Sequence, residues 1–311
     1  MKTTAPSAPR LSPFRIFARI LGLIAATVLI YAVTAALVAS TAYRSRTQLG
    51  INGEYSVDYI LTPDQTAAIG GLRRDYDVTS DGLVVALSRG RVLQIAAGRA
   101  EAGISDLGIE GTDPETLAFD SKNALLVVQD GYLKVVDRDG QVSGGLPLPD
   151  GKARLIHSAR GDAIILILNG INGQNRVYLL WENGQFQILA DIDEQIVSAA
   201  DTRTTSYIAT ATRILKLDSR GMEVVFAAAP YPWGPIDSIC ASPDGQQLFF
   251  STPERVYTLG EGKALSIVNN SGGSIRLRAG RLYVNDRRRR LLYRLTPKSS
   301  QPLLAADDRG D

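Results

Sequence analysis

Glu115 and Asp237 stand at equivalent places in two copies of a repeating unit, just ahead of the apolar stretches Thr116-Leu-Ala-Phe119 and Ser238-Ile-Cys-Ala241. Carboxylates so placed could act as acid and base or as ligands for a cation, and could equally accept backbone N–H bonds in the loops that enter strands. Arg74 holds the same place in an earlier copy, where an arginine facing two acids would build a charge network. The chain has one histidine, His157, which excludes any site needing two imidazoles, and His157 is read as a hydrogen-bonded structural residue. Cys240 is the single cysteine, so no intramolecular disulfide exists; lying mid-strand, it is expected to be buried and inert. No G-x-S-x-G nucleophile elbow is present.

Two further clusters bear on binding rather than catalysis. Tyr231 and Trp233 lie in Ala229-Pro-Tyr-Pro-Trp-Gly-Pro235, a proline-stiffened loop that offers aromatic anchors to a partner or lets Trp233 cover a groove. Arg288 and Arg289 belong to the run Asp286-Arg-Arg-Arg-Arg290, which could meet lipid phosphates or an acidic partner, or form a solvated hairpin.

The elements that position these residues are short strands. After Thr47, β-branched and aromatic runs alternate with Gly, Asp, Asn and Pro at close intervals, the pattern of an all-β chain. SICASPDGQQLFFSTPERVYTL from Ser238 aligns with TLAFDSKNALLVVQDGYLKVVD from Thr116 and with DYDVTSDGLVVALSRGRVLQI from Asp75; further copies begin at Arg154, Val197 and Ser274. Equivalent positions Arg74, Glu115, Ala153, Ile196, Asp237 and about Gly273 are separated by 41, 38, 43, 41 and about 36 residues. Six units of this length, each supplying four strands, predict a six-bladed β-propeller over residues 71–305. The closing strand is either Gln301–Ala305 or Tyr55–Leu61, the latter within a linker at 44–70; residues 306–311 form a tail.

Residues 20–43, ILGLIAATVLIYAVTAALVASTAY, carry no charge and as a helix would span about 36 Å, enough to cross a bilayer. Lys2, Arg10, Arg15 and Arg19 precede this run and the first acid is Glu54. This predicts a single N-terminal transmembrane helix with residues 1–19 cytoplasmic and the propeller on the periplasmic side of a bacterial-type inner membrane. A cleaved signal peptide is the alternative.

The remaining 30 basic residues face 32 acids, and this balance excludes sequence-independent nucleic-acid binding. With 45% hydrophobic and 21% charged residues, the chain is too apolar for a disordered protein.

With Glu115-Thr-Leu-Ala-Phe-Asp and Asp237-Ser-Ile-Cys-Ala-Ser-Pro-Asp-Gly in view, the chain from about Arg74 to Leu304 resembles the six-bladed propeller superfamily of strictosidine synthase-like, gluconolactonase/senescence-marker and NHL-repeat proteins. In the lactonase branch this resemblance implies a divalent cation in the channel, held by a glutamate, an asparagine and an aspartate from separate blades. Glu115 matches the glutamate and Asp237 falls where the asparagine is often found, but Thr252 stands where the aspartate is expected. Two carboxylates and a hydroxyl make a poor cage for a hard cation. The expectation is therefore a membrane-anchored binding or scaffolding subunit of a membrane protein complex, without a cofactor. The alternative is a lactonase- or esterase-like hydrolase with a divalent cation in the channel; binding of a small ligand or glycan without chemistry is a third reading.

Overall fold

The computed structural model describes residues 26–34, 49–96, 103–109, 111, 113–137, 139–170, 172–228, 234–260 and 263–298. The chain divides into two compact units, Met1–Leu49 and Gly50–Asp311.

In the first unit, residues 26–34 are helical and solvent-exposed. Among the described residues no helix is long and apolar enough to cross a membrane, so the transmembrane helix expected over 20–43 is not found. Residues 20–25 and 35–43 lie outside the described residues.

The second unit is a six-bladed β-propeller. Each blade is built on an antiparallel sheet of four strands, a simple meander in blade one with Tyr76–Val78, Leu83–Ser88, Arg91–Ala96 and Gly103–Asp106. The inner strands are Tyr76–Val78, Thr116–Phe119, Lys152–His157, Ile196–Asp201, Ser238–Ala241 and Ser274–Arg278, and each touches the next around a closed ring. Burial falls from the axis outward. Thr116–Phe119 is buried throughout, whereas the outer strand Gly221–Ala227 is mostly exposed. A four-stranded sheet with two apolar faces is stable only when both are covered, and the ring covers them. Ile165, Ile167 and Leu179 of blade three meet Ile196, Ala199 and Ile208 of blade four, each buried isoleucine or leucine contributing roughly 1.5–3 kcal/mol.

Blade six takes its outer strand from the amino-terminal side. Tyr55–Leu61 pairs with Leu291–Pro297, and Leu61 is buried beside Tyr76, Tyr283 and Leu292. This settles the closing strand, and Gln301–Ala305 lies outside the described residues. Period-two alternation gives Tyr55–Leu61 one half-buried and one exposed face until Ile60 and Leu61 enter the core, as an edge strand requires. The two residues Gly50–Ile51 add a short fifth strand to blade five. Thr62 then caps the helix Pro63–Ala68, accepting from the Gln65 N–H while the Gln65 side chain accepts from the Thr62 N–H. That helix turns the chain back toward the first inner strand.

A polar side chain joins each pair of neighbouring blades near the axis. Asp77 Oδ2 accepts the Phe119 N–H at 2.7 Å, Thr116 Oγ1 accepts the Leu155 N–H at 3.1 Å, and Ser158 Oγ donates to Asp201 Oδ2 at 2.6 Å. Ser198 Oγ accepts the Ile239 N–H at 3.2 Å, Ser251 Oγ donates to Gly273 O, and Tyr76 Oη donates to Tyr283 O at 2.8 Å. Five of these bonds satisfy backbone groups that the apolar seams would otherwise strand, and the Ser158–Asp201 bond joins two buried side chains.

Candidate functional site

All six inner strands run in the same direction, so the residues preceding them gather at one mouth of the channel. The turn after each second strand reaches the same rim. Arg74 and Asp75 lead into blade one, Glu115 into blade two and Asp237 into blade five, while Arg154 lies near the start of the blade-three strand. The structure brings Arg74 and Asp237 together: Arg74 Nη2 is 3.2 Å from Asp237 Oδ1 and donates to Asp237 O. Arg154 Nε lies 2.9 Å from Asp75 Oδ1. Both arginines also donate to one acceptor, Val197 O in blade four, with Arg74 Nη2 at 2.9 Å. Two ion pairs thus span the mouth from blade one to blades five and three, converging on a single carbonyl.

Arg276, on the inner strand of blade six, stands deeper in the channel. Its guanidinium lies over the Tyr76 ring at 5.4 Å, and Nη1 donates to Ile275 O at 2.9 Å. Burial pulls the Arg154 guanidinium down to about 9, opposed by Asp75 and reinforced by Arg74 and Arg276, yet leaves it cationic at neutral pH. Arg74 is lowered for the same first reason, against the pull of Asp237 and Asp75, and Arg287 in the blade-six turn adds positive charge from the rim.

At the opposite end of the channel His157 Nδ1 faces Phe119 O at 3.0 Å and Nε2 meets Arg278 Nη1. The carbonyl requires a proton on Nδ1, so Nε2 accepts from the guanidinium. Burial first and Arg278 second push His157 down to about 4, so the ring is neutral at pH 7. Arg278 Nε donates to Val78 O at 2.7 Å. Cys240 is buried, and burial raises its thiol, which leaves no reactive thiolate.

The other residues marked by the sequence are dispersed. Glu115 is exposed at the mouth, its backbone N–H donating to Val128 O at 2.8 Å. Arg288 is exposed and pairs with Glu254 at 2.8 Å, and the Arg289 N–H donates to Asp286 Oδ1 at 3.0 Å, closing the turn. Tyr231 and Trp233 lie outside the described residues. Asp75, Arg154 and Arg276 were not among the sequence candidates. The available signal was an arginine inside an otherwise apolar inner strand, in KARLIH and SIRLR.

A divalent cation does not fit this mouth. Asp75 and Asp237 are each matched by an arginine, and Thr252 folds back to accept the Arg255 N–H on Oγ1 at 3.2 Å. Gly273, with a φ of 108°, brings its N–H to Thr252 O at 3.0 Å; any Cβ there would lie 2.4 Å from Asn285 O. That approach commits the backbone at Thr252 to the blade seam. Among the described residues no three His, Cys, Asp or Glu side chains are grouped to hold a metal, and calcium wants six to eight oxygens.

No family model matches the sequence, and no curated protein matches it. Solved structures do. A gluconolactonase from Xanthomonas campestris superposes with a TM-score of 0.57 at 18% identity, covering 77% of this chain and 94% of that one. Regucalcin from Agrobacterium tumefaciens, described as a calcium-binding protein, gives 0.56 at 14% identity, covering 73% and 90%. The propeller fold is thereby shown. These neighbours overturn the expectation of a binding or scaffolding subunit.

Proposed function

We propose that this chain is a lactonase-like hydrolase acting on a small lactone or ester at the channel mouth, without a bound divalent cation. The observation that carries this reading is the Arg74–Asp237 pair at the channel mouth of a fold shared with a gluconolactonase, with Glu115 exposed where the chain enters blade two. The Arg74 side chain is 27% exposed, and Asp237 fixes its position. In the proposed step Glu115 takes a proton from water as the oxygen bonds to the carbonyl carbon, and Arg74 stabilises the oxyanion. Collapse breaks the carbon–oxygen bond of the ring, and the departing alkoxide recovers the proton from Glu115, giving a hydroxy acid.

A panel of aldonolactones, simple lactones and aryl esters tests this directly. Hydrolysis is expected to persist in EDTA, and Glu115→Gln is expected to lower kcat about a hundredfold or more. Absence of turnover across the panel, or activity lost to chelation and restored by calcium, would overturn it.

We also propose that residues 20–43 tether the propeller to the extracytoplasmic face of a membrane. Supporting this is the charge-free run with basic residues ahead of it. Full-length protein is expected to stay with membranes through alkaline carbonate washing, and release would refute the tether.

A further inference from the structure

Three aspartates of the channel are already committed. Asp237 pairs with Arg74, Asp75 pairs with Arg154, and Asp77 gives its two oxygens to the N–H groups of Val78 and Phe119 at 2.9 and 2.7 Å. Arg276 has no ion-pair partner among the described residues, although it is only 5% exposed. Its Nε and Nη2, and Nη2 of Arg154, itself 7% exposed, are buried without a hydrogen-bond partner. A guanidinium offers five N–H groups and cannot shed its charge, so bare buried donors of this kind are costly unless an acceptor meets them. Arg74 and Arg154 are drawn to the same oxygen, Val197 O, and Arg276 acts electrostatically on both. Like charges are therefore concentrated on buried side chains at the axis of the ring.

We propose that Arg154 and Arg276 form a buried site for one small monovalent anion, of the size of chloride, bromide or a formate-like carboxylate. Such an ion accepts the bare N–H groups and neutralises Arg276, which has no ion pair among the described residues. A monovalent ion is indicated because Arg74 and Arg154 already have carboxylates, and Arg276 adds one charge beside them. This inference does not rest on the hydrolytic reading.

Thermal unfolding at fixed ionic strength, with chloride titrated against methanesulfonate, tests the proposal. A saturable rise in Tm with chloride is expected, as for any ligand that binds only the folded state. Arg276→Met should lose that rise and, in methanesulfonate, melt higher than the parent protein, because a bare buried charge has been removed. Should Arg276→Met fail to fold, chloride-35 line broadening on the wild-type protein, reversed by competing bromide, gives the same answer. Equal Tm in both salts, a chloride response retained in Arg276→Met, absence of broadening, or a response to phosphate alone would each overturn the assignment.

Discussion

Arg154 of blade three reaches across the channel to hold Asp75, the residue leading into blade one, at 2.9 Å. The pair skips blade two entirely, so it ties non-adjacent sectors of the ring at the axis. A buried pair of this kind adds little beyond an apolar substitute, but breaking it strands a charge.

Asp75→Asn is therefore expected to destabilise the propeller by about 3 kcal/mol or more, because Arg154 is left beside Arg74 and Arg276. The double variant Asp75→Leu with Arg154→Met should recover much of that loss. Urea unfolding of the two variants measures both effects; equal destabilisation in single and double variants would contradict the electrostatic origin.

Asp77 joins blades one and two through the buried Phe119 N–H. Asp77→Ala leaves that donor and the Val78 N–H unmet, at a cost of about 2–3 kcal/mol. Asp77→Asn keeps one acceptor and should cost less. Hydrogen exchange at Phe119 is expected to quicken in Asp77→Ala, and unchanged protection would show that the seam does not depend on this carboxylate.

His157 sets an acid limit. Its folded value near 4 lies below the ordinary imidazole value of about 6.5, so the unfolded chain binds more protons between these two pH values. The stability it contributes is complete above about pH 6.5 and is lost as pH falls toward 4, by about 2 to 3 kcal/mol. His157→Gln, compared with the parent at pH 7 and pH 4.5, should show a smaller fall in Tm. Matching falls in the two proteins would contradict the neutral, buried histidine.

The ring was legible because its cause is periodic. Equivalent turns such as Ser242-Pro-Asp-Gly245 recur with each unit, and Gly245, at a φ of 75°, closes one by donating its N–H to Ser242 O at 2.9 Å. Arg74 and Asp237 were legible for the same reason, as residues at one register of different units. The choice of Tyr55–Leu61 as closing strand was not, since a partner more than 230 residues away leaves no local mark. Arg154 and Arg276 were missed because an arginine in a strand normally signals an exposed face, and only the closed ring turns theirs to the axis. The apolar run at 20–43 is legible in sequence, and only residues 26–34 of it are among the described ones.

Anomalous diffraction from crystals soaked separately in sodium bromide and in terbium chloride tests most directly whether this channel is built for anions rather than for a hard cation. The expected result is a bromide peak between Arg154 and Arg276 with no terbium at Asp75, Glu115 or Asp237. Terbium seated on those carboxylates, with the channel free of bromide, would contradict it.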